Sequence, residues 1–468
     1  MDKQSVSIEQ YLILFAPWAL ACGLKDSYML SYAIAWLGSF FIFYISLAGK
    51  IKPLPADSSI AEQLMRPVFL VQFIFAGYMC CTSIFYFFDV LGYVDFEKQG
   101  GFFLVDQERL RLTAQCQRYY CLAHASFVSG LLIFMRYPVE KQYAYSAESL
   151  STIVFKVALF SMPVSYGLQL FSGLSQFSHQ LSTLSFVAAT LALALAIPRR
   201  KTWTIVICLV IYGLNFYQAM VSGFKEPVIL SILILGIFLY PSYKRLVAVS
   251  FVPLMLSLFV LLPTYNRVFR QQAWSGEATA DEATQIALAS AFDNEDTENG
   301  VWVFFAYRLS EIDMFTRYIR STPAFQDYYG FTILEQSLKS VVPRVFWPSK
   351  PLTEQMIMER VYNAGIVSRT SKVSAKPAFV ADAYLSAGAF GIFICLFLYG
   401  AVCQLIATKA EQLFGGYTLG TALVFTGLFQ VFWRGQSFEF LVNSVCWSYV
   451  TMYLIFWLLR FTKILNPI

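Results

Sequence analysis

The sequence predicts an all-α polytopic membrane protein of about twelve transmembrane helices with one large extracytoplasmic loop containing short helices. Three observations predict it. Hydrophobic residues make up 57% of the 468 residues and charged ones 13%, against about 25% charged in a soluble domain. Apolar stretches recur from Tyr11 to Phe461, and none shows the period-two alternation of barrel strands. Backbone amides in hydrocarbon must bond internally, so runs of this length are helices. Third, a polar segment over 264–378 interrupts the series once.

A bilayer-spanning helix needs about 20 apolar residues. The apolar stretches place spans near 9–24, 28–48, 67–91, 119–135, 152–171, 180–197, 202–221, 226–240, 246–263, 379–407, 417–433 and 440–460. Three parts follow: helices 1–9 over 1–263, the loop over 264–378, and helices 10–12 over 379–468. The first run lacks a basic leader and a clear small-residue cleavage site, so it reads as retained. Lys and Arg in short loops set orientation. Lys50, Lys52 and Arg66, Arg136 with Lys141, Arg199-Arg200-Lys201, Lys244-Arg245 and Lys409 fall on alternate loops. That pattern puts both termini in the cytoplasm and 264–378 outside.

Composition excludes a soluble enzyme. The net charge of +5 gives no reason to expect nucleic acid. The cysteines form no CxxC pair, and two histidines leave no multi-histidine metal site. Cys116 and Cys121 could in principle bond, but two cysteines near a helix start are more often simply unpaired. No metal and no cofactor are expected.

Within the polar segment, Glu277, Asp281, Glu282, Asp293, Glu295, Asp296 and Glu298 form an acidic flank that solvates itself. Val303, Phe304, Tyr307, Phe315 and Ile319 recur at helical spacing, so Val301–Thr322 reads as one helix at the membrane surface. Val341–Pro351 reads V-V-P-R-V-F-W-P-S-K-P, whose prolines forbid continuous helix. The second half of the segment is basic, with Lys339, Arg344, Lys350, Arg360, Arg369, Lys372 and Lys376 against Glu354 and Glu359. An anionic ligand is therefore the first candidate. Arg308, Arg344 and Lys350 sit near apolar and aromatic residues, where a cation holds phosphate more strongly than in open water. The plainer alternative has them snorkel to headgroups or pair with Glu311 and Asp313.

Lys225 in S-G-F-K and Arg434 in F-W-R-G fall at the same outer face, where each either joins the anion site or caps a helix. Candidate bases are few. Asp382 opens the tenth span, where it serves as a base or as a helix-start cap. Glu311, Asp313 and His179 are the alternatives, His179 with solvation as its plainer reading. His124 reads as a packed helix residue.

With the P-R-V-F-W-P-S-K-P run on the page, the chain resembles the Wzy-type O-antigen and exopolysaccharide repeat-unit polymerases. Those proteins often carry "iPR-lWP-KP" in a large outer loop, matched here by Pro343, Arg344, Phe346, Trp347, Pro348, Lys350 and Pro351. They follow it with "E-y-nfG-G", matched by Asp382, Tyr384, Gly388 and Gly391. S-G-F-K resembles their outer turn "sG-R", with Lys225 where Arg is usual; Arg308 and Arg434-Gly435 resemble further family arginines. The likeness covers roughly 220–440.

The resemblance implies a metal-independent glycosyltransferase in the bacterial cytoplasmic membrane. It would join undecaprenyl-pyrophosphate-linked oligosaccharide repeat units, with membrane lipid and a chain-length regulator protein as further partners. Arg308, Arg344, Lys350, Lys225 and Arg434 would neutralise the leaving pyrophosphate. Asp382, Glu311, Asp313 or His179 would accept the sugar hydroxyl's proton, and Trp347 and Tyr384 would stack on sugar rings. Two alternatives stay open. An O-antigen ligase-like transferase would typically carry a loop histidine, and 264–378 has none. A lipid-linked glycan flippase or transporter would place charges along its spans and show a repeat.

Overall fold

A computed structural model of the protein describes residues 8–98, 103–146, 150–171, 174–223, 225–275, 278–292, 297–344, 346–371 and 374–468. The architecture is helical, with two short two-stranded ribbons. Helices α1 (Ile8–Leu12) and α2 (Ala16–Gly23) precede α3 (Tyr28–Leu47). Helices α4 (Leu70–Phe75) and α5 (Ser83–Val90) join through a π-helical stretch, Ala76–Cys81. Then come α6 (Gln107–Phe134), α7 (Leu150–Gln169), α8 (Ser175–Ala196), α9 (Thr202–Val221), α10 (Lys225–Leu239) and α11 (Lys244–Ser275). The polar segment supplies α12 (Ala280–Ala291), α13 (Thr297–Phe304), α14 (Ile312–Ser321), α15 (Thr332–Val341) and α16 (Thr353–Asn363). The chain ends with α17 (Phe379–Leu413), α18 (Thr426–Leu428), α19 (Val431–Arg434) and α20 (Phe438–Phe461).

Among the described residues, eight helices are long and apolar enough to cross a membrane. They are Tyr28–Leu47, Leu70–Val90, Leu150–Gln169, Phe177–Ala196, Thr202–Val221, Lys244–Ala273, Phe379–Leu413 and Phe438–Phe461. Helix α6 has the length, but Glu108, Arg109, Arg111 and Arg118 occupy its first half.

Two expectations change, and the two cysteines stay unpaired as expected. Helix α11 runs to Ser275 and so passes the expected end at 263; Pro263 sits inside it. Val301–Thr322 is two helices, broken where Glu311 adopts a left-handed φ of 56°. Hydroxyls from neighbouring helices hold the break open: Tyr120 donates to the Ser310 carbonyl at 2.9 Å, and Tyr78 to that of Arg308 at 3.4 Å. Cys116 and Cys121 are free thiols, both buried in α6.

Helix α6 is the central strut, packed on α3, α14 and α17. At its crossing with α17 the two backbones come into direct contact. A Cβ on Gly130 would lie 2.1 Å from the Phe397 carbonyl, and one on Gly400 would lie 2.1 Å from that of Phe127. Small residues let membrane helices approach this closely. At the end of the bundle away from the polar segment, Arg66 is buried between Asp57 (2.6 Å) and Glu411 (2.9 Å), over the Tyr137 ring. Lys52 caps the Leu132 carbonyl there, and a short strand, Tyr143–Tyr145, pairs with a C-terminal one, Leu465–Pro467.

Candidate functional site

Helix α17 is a hairpin, where one straight span was expected. Ala387 (φ −161°, ψ 36°) and Gly388 (φ 62°, ψ −141°) leave helical geometry and reverse the chain. The Gly388 conformation is essentially open to glycine alone. The arms then lie against each other: a Cβ on Gly391 would fall 2.2 Å from the Ala383 carbonyl. The Phe379 ring stacks on Tyr399 at 4.9 Å. In an unbroken helix these two residues would stand about 30 Å apart. The short arm, 379–386, therefore begins about 15 Å down the long arm, 389–413.

Two helix starts meet at that depth. The Phe379 N–H donates to Gly435 O at 3.2 Å, and the Phe438 N–H to Asp382 Oδ2 at 3.0 Å. Asp382 and Glu439 are the first-turn acids of the short arm and of α20, and both are fully buried. Arg360 reaches in from α16 and joins them. Its Nη1 and Nη2 donate to the two Glu439 oxygens at 2.6 and 2.9 Å, and Nη2 also to Asp382 Oδ2 at 3.3 Å. Arg360 Nε faces Asp382 Oδ1 at 3.2 Å, and Gln336 accepts from Nη1 at 3.0 Å. Burial opposes the Arg360 charge, but Asp382 and Glu439 outweigh it and hold the guanidinium above its ordinary pKa. One guanidinium thus faces two carboxyl groups. Two helix N-termini, each worth roughly half a positive charge, lie at the same cluster.

Asp382 is thus enclosed, and its oxygens face protein. Neither Arg360 nor Glu439 was singled out as a site residue. Glu439 carried the same signal as Asp382, an acid in the first turn of an apolar helix. Tyr384, expected against sugar rings, is buried; its hydroxyl donates to Thr322 O at 2.7 Å among the rings of Tyr119, Phe315 and Tyr328.

A second cluster forms where α11, α13 and α5 meet. Arg270 Nε donates to Gly223 O at 2.8 Å, which fastens the chain just beyond the end of α9 to α11. Arg308, exposed at the end of a π-helical turn, lies close enough for its charge to act on Arg270. Two of the expected cationic positions, Arg308 and the S-G-F-K turn, are therefore brought together through Arg270, a residue the sequence did not mark. The side chains of Lys225 and Arg434 lie outside the described residues. Close by, Arg109 binds Asp89 at 2.8 Å and donates to Tyr307 at 3.0 Å and Tyr86 at 3.2 Å. Burial opposes the Arg109 charge, yet its neighbours raise its pKa.

Tyr86 in turn donates to Asp313 at 3.0 Å, and Arg317 pairs with the same carboxylate at 3.1 Å. Glu311 borders a narrow crevice between α6, α14 and the short arm, lined by Tyr120, Phe315, Tyr318 and Ala381. The crevice has no room for a water molecule, and the buried Tyr318 hydroxyl that lines it has no hydrogen-bond partner among the described residues.

In the proline-rich turn the two cations differ. Arg344 is exposed, donates to Pro351 O at 3.4 Å and meets no carboxylate among the described residues. Lys350 is buried and donates to the carbonyls of Ser340 (2.6 Å) and Val342 (2.8 Å). Burial, with the nearby Arg344 charge, lowers its pKa. Lys350 therefore ties the turn to α15, a structural use of its charge. Trp347 is half-buried and His179 exposed. Of the acidic flank, residues 276–277 and 293–296 lie outside the described residues, as does Lys372. Among the described residues no three His, Cys, Asp or Glu side chains converge as metal ligands do.

No curated protein and no solved structure matches the chain. A family model described as "Domain of unknown function (DUF8712)" matches residues 16–467, which takes in the hairpin, the Arg360 hub and the Arg270–Arg308 pair together. The chain belongs to the DUF8712 family.

Proposed function

We propose that the protein is a glycan polymerase working at the outer face of the bacterial cytoplasmic membrane, on oligosaccharide repeat units carried by undecaprenyl pyrophosphate. In this reading the chain crosses the membrane about twelve times. The end holding Arg66, Lys52 and both paired strands is cytoplasmic by the positive-inside rule, and the polar segment is external. The observation that carries the proposal is Arg270, fastened to the Gly223 carbonyl from α11, with the exposed Arg308 on the turn that follows α13, a helix packed on α11. Cations gathered on adjoining elements favour an anionic ligand.

The reaction needs no external energy source. A hydroxyl of the incoming unit attacks the anomeric carbon of the lipid-linked chain. A C–O bond forms there, the bond to pyrophosphate breaks, and the electron pair leaves on undecaprenyl pyrophosphate. Arg308, Arg270 and the exposed Arg344 neutralise that leaving charge. We assign proton acceptance to Glu311, three residues from Arg308, with Asp313 beside it. Asp382 becomes a positioning residue, because Arg360 and the Phe438 amide occupy it.

One observation favours a second reading. Half-helices such as 379–386 are parts from which membrane transporters build binding sites. A single experiment separates the two. Surface glycan and lipid-linked intermediates are compared in a deletion strain rescued with wild type or Arg308→Ala at equal expression. Polymerase activity predicts single-repeat glycan on the surface with Arg308→Ala and a full ladder with wild type. Transport predicts loss of surface glycan while lipid-linked units accumulate inside. An unchanged ladder overturns both.

A further inference from the structure

Helix α15 belongs to the polar segment, yet it does not stand clear of the bundle. It lies along α20, which is 24 residues long and apolar enough to span a membrane. Ser340 Oγ donates to Glu439 O at 2.8 Å, and the Trp447 indole N–H donates to Val341 O at 3.0 Å. Ser340 thus meets the start of α20, itself about 15 Å down the long arm of the α17 hairpin, and Val341 meets the indole of Trp447, whose backbone is about 13 Å further along, so the end of α15 lies against the first part of that helix.

The C-terminus of α15 is also finished in an unusual way. The last carbonyls of a helix have no intrahelical donor, and at an aqueous surface water supplies one. Here protein side chains do so at three consecutive positions. Lys350 caps Ser340 and Val342, and Trp447 caps Val341. Where water is absent every backbone carbonyl must be met this way.

The helix has three faces. Ile333, Ser337 and Ser340 are buried against the protein. Glu335 and Lys339 form an ion pair at 2.6 Å along another face. Between them runs an apolar stripe with nothing over it: Phe331, Leu334, Leu338 and Val342, all exposed, Phe331 at 85%. An isolated exposed leucine is ordinary, but a helical stripe of four at this depth has an occupant.

We propose that α15 lies within the hydrocarbon layer beside α20, with the Phe331–Leu334–Leu338–Val342 stripe packed on lipid acyl chains. Depth, capped carbonyls and stripe agree on this, and the inference holds whichever reaction the protein performs. The Glu335–Lys339 face then turns toward headgroups and water.

The test is spin-label accessibility on the full-length protein in lipid nanodiscs. Leu338→Cys and Leu334→Cys are labelled in a background with Cys446→Ser, and the label on that background is subtracted. Asp327→Cys serves as the water-exposed reference. Oxygen, which partitions into acyl chains, is expected to relax the two stripe labels several-fold more than a water-soluble nickel chelate, with the ratio reversed at 327. A chelate-dominated stripe would overturn the proposal by placing α15 in water. A stripe shielded from both reagents would overturn it in favour of a protein partner. Phe331→Cys replaces either stripe variant that fails to fold.

Discussion

Arg360 and Asp382 face each other at 3.2 Å with neither side chain open to solvent, and Glu439 completes the contact from a third helix. Removing the cation leaves two buried carboxylates. Arg360→Met is expected to cost about 3–5 kcal/mol, as when one partner of a buried ion pair is deleted. Denaturation of the purified protein in detergent measures it. Adding Asp382→Asn should recover part of the loss; additive losses would show that the two residues act separately.

The reversal in α17 makes a graded glycine test. Gly388→Ala forces a non-glycine residue into a region that costs of order 1–3 kcal/mol, and its Cβ approaches the Tyr328 hydroxyl at 2.9 Å. Gly391→Ala should cost more, because its Cβ meets a backbone carbonyl at 2.2 Å that cannot step aside. Gly167→Ala is the control. Its Cβ meets nothing within 4 Å, and helix propensity predicts a gain of up to about 1 kcal/mol. Thermal shifts in the order 167, 388, 391 are expected.

Arg308→Ala should lower chain extension from a purified lipid-linked repeat unit by roughly 10²–10³-fold if it meets charge developing in the transition state. Arg317→Ala, whose guanidinium already pairs with Asp313, should lower it far less. Equal effects would remove the special role of Arg308. Repeat-unit incorporation per minute is the readout, at matched protein.

Asp57 gives a stability signature at acid pH. Its hydrogen bond to Arg66 lowers its pKa below the ordinary 3.8. A carboxylate depressed in the folded state stabilises fully above its unfolded pKa, and the contribution fades as pH falls toward the folded value. Wild type should therefore lose stability below about pH 4, and Asp57→Asn should be less stable at neutral pH but flatter through that range. Melting curves from pH 3 to pH 7 check the sign.

The helical parts of this chain were legible because hydropathy and length report them directly. A helix stands at every apolar stretch from Tyr28–Leu47 to Phe438–Phe461. The hairpin was hidden for the same reason: both arms of 379–413 are apolar, and composition does not see direction. Its parts were nonetheless noticed as a motif. Asp382, Tyr384, Gly388 and Gly391 mark the buried ion pair, the anchor to Thr322, the reversal and the close approach of the arms. The break at Glu311 left no trace, since no glycine or proline marks it and the hydroxyls of Tyr120 and Tyr78 impose it from other helices. Arg360 was one cation among many because its partners lie 22 and 79 positions away.

The Arg360–Asp382 contact also closes the chain on itself. Residues 361–381 form a ring whose clasp is buried while Ser368, Arg369 and Thr370 stand in solvent. Holding the two ends of such a loop costs roughly 3 kcal/mol of chain entropy, and the clasp bears that tension. A protease cut or an inserted epitope at 368–370 would release the loop yet leave both severed ends fastened. The ring is thus a ready place to attach a reporter to this face of the protein, and survival of the folded state after cleavage there would measure the clasp by itself.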